Sequence, residues 1–497
     1  MWLLLYSFIL LFFLSPDSYL YDLYYHDDSA TFFMCGKAWM CGMVPYVDFT
    51  DSKGPLLWLI YGVGYLISHH SYIGVFWISI LFYTVTLFAA YKLCRLFVDK
   101  DVSAVSVAAL PFFLLCVVFR FEMKAESFCY PFIMLALYCT CRILKYRDSD
   151  EKTYFKLSAL MGMCSMCCVL IKYNVGCMIM GLMAVVLYME IRHKAGWQSF
   201  WGMVVGFVAP AVPFVICFLI YGNMEVFINE YFLNTFATKE NGSSLLEWYQ
   251  PFNGNKIHYC ILLVIFWGVL RFSQKSNIGY WLIICFVLFV IGTGKVTVLT
   301  HYYRVLMPFS IFIILLIVNI TFNKISLSRE HITSLCVTIM ILSIAANLSI
   351  FYFNYKRNIE ENIREEYYNA VYVMSQVNQP KVMYNSLDWG VGLAANSLPA
   401  CRYWIRQIGA TDEMMRERED ALKSGVADFV LWNNPSEERV KEFESYGYVF
   451  YCIVPTYFFK ADDYRLSLFG RPGLKLPPED FHVSQWDVWL KRNIFGI

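Results

Sequence analysis

Apolar runs recur along the first 353 residues, near 1–14, 72–97, 102–119, 127–143, 155–171, 174–190, 198–221, 257–270, 279–293, 305–322 and 331–353. Each predicts a helix, and several fall short of the roughly 20 apolar residues of a straight membrane span, so tilt or local thinning is expected. The run Leu56–Ile67 is shorter still and follows a polar stretch, which predicts an interfacial helix. Past Asn354 the apolar runs stop and polar and apolar positions alternate. There the spacing predicts helices over Arg357–Gln376, Asp412–Lys423 and Glu437–Ser445. Strands are predicted at Lys381–Tyr384, Asp428–Trp432, Tyr448–Val454 and Thr456–Lys460.

The expected fold class is therefore mainly α: a polytopic transmembrane bundle of about 11 helices, interfacial helices in its first loop, and a small α/β domain at the end. The expected boundaries are 1–353 for the membrane domain, with its first loop at 15–71, and 354–497 for the α/β domain. Composition agrees, with 58% hydrophobic residues, 16% charged and a mean hydropathy of +0.49. Trp2–Leu14 has neither a basic leader nor a small-residue cleavage site, and reads as the first transmembrane helix. The 17 cysteines lie mostly inside apolar runs and match no zinc spacing. Cys401 and Cys452, in the polar part, can pair or stay free.

Orientation follows from Lys and Arg in the short loops. One alternate set of loops carries 14 of them and the other 9. The richer set is read as cytoplasmic, which puts the first loop and the α/β domain on the opposite side. A formal net charge of +1 argues against a nucleic-acid partner.

The chemistry concentrates in that first loop. His26–Leu56 holds Asp27, Asp28, Asp48, Asp51 and Lys53 around a Pro45-Tyr46 turn, with Gly54-Pro55 closing it. Asp27-Asp28-Ser29 fits a helix cap, because an acid there accepts orphan backbone N–H bonds. Capping accounts for one acid, not for a cluster beside a membrane, where such groups are costly to desolvate. The functional reading is a general base at Asp28 or Asp27 that takes the proton of an acceptor hydroxyl. Lys53 either neutralises Asp51 or meets a lipid phosphate as a compact point charge.

The run Asp27-Asp28, Gly42-x-x-Pro45-Tyr46-x-Asp48, then Asp51-x-Lys53-Gly54-Pro55-Leu56 resembles the first outer loop of the type-C glycosyltransferase superfamily. It is most similar to the bacterial branch of protein O-mannosyltransferases and aminoarabinose transferases. The resemblance implies transfer of a sugar from a polyprenyl-phosphate carrier to a lipid, glycan or protein hydroxyl, at the extracytoplasmic face of the bacterial plasma membrane. By the same resemblance Asp28 matches the loop aspartate near the reacting centre, with Asp27 as the other register, and Lys53 the lysine that approaches the carrier phosphate. Glu126 resembles a carboxylate position between two helices, and His301-Tyr302-Tyr303-Arg304 a His-Tyr element entering a late helix. Arg304 and Arg120 then join Lys53 as donor-phosphate candidates; Asp51, Asp48, Glu126, His301 and Tyr46 are substrate-binding candidates. Lys172, alone in a short turn, either favours carrier phosphate or snorkels.

No Walker loop, Gly-x-Ser-x-Gly elbow or His-Glu-x-x-His helix is present in the sequence, which disfavours a soluble nucleotide-sugar donor. No cofactor is required, since one phosphate leaves; the Asp27-Asp28 pair still leaves room for a divalent ion, and no metal ligand set is assigned. Rival readings are a flippase or transporter, a glycan ligase, and a non-catalytic scaffold. A transporter calls for ionisable residues mid-helix and repeat symmetry, and the helices here are nearly charge-free. In the α/β domain, Asp388-Trp389-Gly390 and Trp404 can form a sugar platform or an ordinary core.

Overall fold

The computed structural model describes residues 1–15, 17–20, 27–69, 71–115, 124–146, 151–192, 196–234, 256–275, 280–291, 300–322, 328–356, 361–385, 390–405, 410–455, 465–478 and 481. The chain divides into two compact units. One comprises Met1–Ser15, Ser79–Cys217 and Gly242–Phe351; the other comprises Pro16–Ile78, Phe218–Asn241 and Tyr352–Ile497. The first polar loop thus groups with the C-terminal part.

In chain order the helices up to the polar region are α1 (Trp2–Leu14), α2 (Asp27–Met40), α3 (Pro55–Ile67), α4 (Ile73–Cys94), α5 (Lys100–Leu114), α6 (Ala125–Lys145), α7 (Glu151–Ile171), α8 (Tyr173–Arg192) and α9 (Gly196–Tyr221). After α10 (Met224–Phe227), which runs on as a π-helix over Ile228–Leu233, come α11 (Lys256–Lys275), α12 (Trp281–Ile291), α13 (Ser310–Phe322) and α14 (Arg329–Lys356). Among the described residues each of the eleven apolar runs falls on a helix, and Pro55–Ile67 forms the expected short one. Among the described residues seven helices are long and apolar enough to cross a membrane. The protein is a multi-pass membrane protein by this measure; α1, at 13 residues, is one of the short apolar helices.

Within the membrane unit, glycine sets the closest helix approach. On α9, a Cβ at Gly206 would lie 1.8 Å from the Ala159 carbonyl oxygen, and one at Gly202 lies 2.5 Å from that of Phe155. Gly162 on α7 answers them, 2.2 Å from the Met203 carbonyl. Small residues four apart let backbones meet where lipid offers no hydrophobic drive to helix pairing. The phenol of Tyr6 on α1 donates to the Ala108 carbonyl of α5 at 2.8 Å, which satisfies a polar tip in the bundle interior.

In the second unit α2 and α3 form a tight hairpin. Gly36 faces the backbone of α3, where a Cβ would stand 2.5 Å from the Gly62 nitrogen and 2.6 Å from the Trp58 carbonyl oxygen. The C-terminal part adds α15 (Glu361–Met374), β1 (Lys381–Tyr384), α16 (Val391–Ala394), β2 (Leu398–Pro399), α17 (Asp412–Lys423), β3 (Phe429–Asn433), α18 (Glu437–Ser445), β4 (Val449–Pro455) and β5 (Arg465–Gly470). The five strands run β2-β1-β3-β5-β4, with β2, β1 and β3 parallel and β5 antiparallel to both β3 and β4. Met383, Val430, Phe443, Tyr448 and Phe469 pack as its core. Thr411 and Ser436 cap α17 and α18 with their side-chain oxygens.

The small α/β domain expected from the sequence is present. Two details differ. The short strand β2 and the strand β5, which pairs with β4, are not among the expected ones. Of the helix expected over Arg357–Gln376 the structure describes Glu361–Met374, with 357–360 outside the described residues. The expected strand Thr456–Lys460 lies outside the described residues. Cys401 and Cys452 are free thiols. Burial pushes the Cys401 thiol up to about 11 and that of Cys452 to about 12, so neither is reactive at neutral pH.

Candidate active site in the first polar loop

Helix α2 carries the loop acids into place. Its period puts Asp28, Phe32 and Cys35 along one stripe. Asp28 is half-buried. Lys53, just before α3, lays its ammonium 5.2 Å from the ring centroid of Phe32, one turn from Asp28. The same ammonium lies 3.8 Å from Asp51 Oδ2 and donates to Ser52 Oγ at 2.9 Å. Both the Lys53 and Asp51 side chains are largely covered, so the aromatic face and the carboxylate hold the cation where water screens it weakly. Below them the fully buried Cys35 thiol is pushed well up by desolvation; Asp51 pushes it further, while Lys53 and Trp404 oppose. It is a neutral spacer, not a nucleophile.

The other loop candidates take part in building the loop. Asp48 accepts the Val44 N–H at 2.7 Å and so closes the Pro45-Tyr46 turn. Tyr46 adopts φ +66°, a left-handed conformation rare for a bulky residue. Its ring is fully buried against Trp58 (4.6 Å), Phe227 (5.2 Å) and Phe218 (5.8 Å), and its phenol donates to the Lys53 carbonyl at 3.2 Å. Burial pushes that phenol well above its ordinary range. Packing of this density is what sustains the backbone strain. Asn223 donates to the Pro45 carbonyl at 2.8 Å and fixes the same turn to the start of α10.

The C-terminal domain grips the loop directly. Thr50 N–H donates to the Arg402 carbonyl at 2.9 Å, and Lys37 Nζ donates to the Ser397 carbonyl at 2.8 Å. Glu230, in the π-helical turn, accepts the Tyr403 hydroxyl at 2.7 Å and lies 3.5 Å from Arg402, which also faces Glu417 at 3.6 Å. Desolvation raises the Glu417 carboxyl; Arg402 opposes, and Glu230 and Glu413 raise it further. The sequence reading missed Lys37, Glu230, Arg402 and Tyr403, and only the π-helix marks the place, since such turns gather at functional sites. Trp404 is fully buried against Tyr384, an ordinary core position, while Asp388 and Trp389 lie outside the described residues.

A second group of candidates sits in the membrane unit. Glu126, in the first turn of α6 and 2% exposed, forms a buried ion pair with Lys172, from the turn between α7 and α8. Beside it Ser127 accepts from Arg304 Nη2 at 3.2 Å, and Arg304 is 1% exposed. Lys172 therefore points inward to a carboxylate and does not snorkel. The backbone of His301 lies in the short helix Thr300–Phe309, with its side chain outside the described residues, as is all of Arg120. The Asp27 side chain is likewise outside them. Among the described residues no three His, Cys, Asp or Glu side chains group to hold a metal ion.

Residues 52–221 match the family model described as dolichyl-phosphate-mannose-protein mannosyltransferase. The chain is similar in fold to ArnT from Cupriavidus metallidurans bound to undecaprenyl phosphate: 12% identity, TM-score 0.62, covering 96% of this chain and 98% of that one. It is equally similar to the apo state of the same ArnT, at 12% identity and TM-score 0.62, covering 94% and 97%. No curated protein sequence matches the chain. The expected resemblance is borne out by the family match over residues 52–221, and the fold is like that of ArnT, with a helical membrane part and a small sheet domain.

Proposed function

We propose that the protein is a glycosyltransferase that moves a sugar from a polyprenyl-phosphate carrier to an acceptor hydroxyl on the extracytoplasmic face of the membrane. The family match and the ArnT-like fold supply the reaction class. The observation that carries the mechanism is Lys53 held one turn of α2 from Asp28, over Phe32.

Asp28 takes the proton of the acceptor hydroxyl. The hydroxyl oxygen attacks the anomeric carbon from the face opposite the phosphate. The bond from that carbon to the phosphate oxygen breaks, its electron pair stays on the phosphate, and the configuration inverts. Lys53 stabilises the charge that develops on the departing phosphate, where a half-dry setting strengthens a fixed cation. Asp51, 3.8 Å away, helps to aim the Lys53 side chain. Arg304 and Arg120 are kept as further donor-phosphate candidates, and Glu126 and His301 as further substrate candidates, within the membrane unit taken by itself. A divalent ion at Asp27-Asp28 is compatible with this scheme but not required by it, since a phosphate monoester leaves from a single displacement.

The test is transfer by the purified chain in lipid nanodiscs, from a panel of polyprenyl-phosphate sugars, with and without a chelator. Product should form with at least one donor and carry the inverted anomeric configuration. Retained configuration, or full turnover by both Asp28→Asn and Asp27→Asn, would overturn the mechanism. Transport of intact lipid-linked glycan without transfer would instead favour a flippase.

A further inference from the structure

We infer that Lys37 is a positioning residue: a fully buried ammonium that registers helix α2, and with it Asp28, against the C-terminal α/β domain. The inference rests on the reading of Asp28 as the base, and adds to it a role for the C-terminal domain.

Lys37 is 0% exposed in the last turn of α2, where the helix dipole favours a cation. Its ammonium donates to the Ser397 carbonyl at 2.8 Å and sits 5.9 Å from the ring of Tyr65 on α3. The carbonyl it meets is itself rigid. Ser397 Oγ and N–H both donate to the Gly392 carbonyl, at 2.6 and 2.8 Å. The adjoining β2 is bonded into the sheet through Leu398 N–H to Pro380 and Ala400 N–H to Val382. One turn back, the Met34 side chain reaches α16, its Cε only 2.8 Å from where a Cβ on Gly392 would stand.

So α2 presents two faces with different tasks. Asp28, Phe32 and Cys35 meet Lys53, Asp51 and their surroundings. Met34 and Lys37 meet the C-terminal domain. A leucine at 37 would fill the volume without desolvating a charge, so packing alone does not call for lysine. What lysine adds is a directional bond to the Ser397 carbonyl that fixes the axial position of α2. An error of about 1 Å there would carry through to Asp28, roughly two and a half turns away.

The experiment compares wild type, Lys37→Met and Lys37→Arg as full chains in nanodiscs, by amide hydrogen exchange and by steady-state transfer kinetics. Lys37→Met should speed exchange across Asp28–Met40. It should lower kcat about tenfold to hundredfold, with donor KM within about threefold of wild type, while Lys37→Arg restores most of both. Unchanged exchange over α2, or unchanged kcat in Lys37→Met, overturns the inference. If Lys37→Met fails to accumulate, Lys37→Leu, which fills the volume and removes the donor, carries the same comparison. Exchange needs no turnover, so it decides the register claim even if the wild type transfers no sugar, an outcome that would count against the proposed activity instead.

Discussion

The ammonium of Lys53 lies over the ring of Phe32, 5.2 Å from its centroid. The contact joins two parts of the loop that sequence presents only as a charge cluster. Because Phe32 is one helical turn from Asp28, it brings a fixed cation to the neighbourhood of the acid, with Asp51 as its counter-charge.

This pairing gives the first prediction. Asp28→Asn should lower transfer at least about 100-fold, the worth of a positioned base, with the thermal midpoint unchanged. Lys53→Ala should lower kcat about 10- to 1000-fold, because its cation acts on developing charge. A Lys53→Ala enzyme with wild-type kcat and only a raised KM would show that Lys53 holds the donor and no more.

The α2–α3 hairpin yields the second. Gly36→Ala places a methyl 2.5 Å from the Gly62 nitrogen, against backbone that cannot swing aside. A cost of about 2 kcal/mol is expected from overpacking, read as a lower unfolding midpoint. Gly42→Ala has open space around its Cβ, yet should also destabilise, through its φ of +91°.

Within the membrane unit, Glu126→Gln or Lys172→Met alone should destabilise by about 3–5 kcal/mol, since each leaves its partner charged and buried. The double variant should recover most of that loss. A double-mutant cycle on unfolding in detergent measures the coupling. Additive losses would count against the pair.

The last concerns pH. Glu419, although partly desolvated, has its carboxyl lowered below the ordinary 4.5 by hydrogen bonds from Arg439 and Tyr446. Arg439 Nη2 donates to Glu419 Oε2 at 2.7 Å, and Tyr446 to Oε1 at 2.8 Å. A group whose pKa falls on folding adds stability above its unfolded value, lost as pH drops through the lower folded value. Glu419→Gln should therefore cost about 1 kcal/mol at pH 7 and nothing once pH is well below 4. Unfolding midpoints from pH 3 to 7 test it; an equal loss at every pH would assign the effect to packing.

Much of the fold was legible along the chain. The membrane helices announced themselves by long apolar runs, and β1, α17 and α18 by the local pattern of polar and apolar positions, while the Thr411 and Ser436 caps appear only in the structure. β5 was missed because its partner β4 could be matched to more than one following segment, the nearer Thr456–Lys460 among them. Asp48 and Tyr46 are substrate-binding candidates through the resemblance, and what the sequence did not reveal is their part in the turn. Their hydrogen bonds and burial show them building the turn.

What the sequence determined by itself is everything that rests on near neighbours: the apolar runs, the Asp-rich loop and the period that puts Asp28, Phe32 and Cys35 on one stripe. Which partners those residues meet was decided by tertiary structure alone. Lys37 reaches Ser397 and Thr50 reaches Arg402 across hundreds of residues. Such pairs depend on how whole surfaces fit, through close approaches like Gly36 on Gly62, and no local pattern of hydrophobic and polar positions encodes that fit.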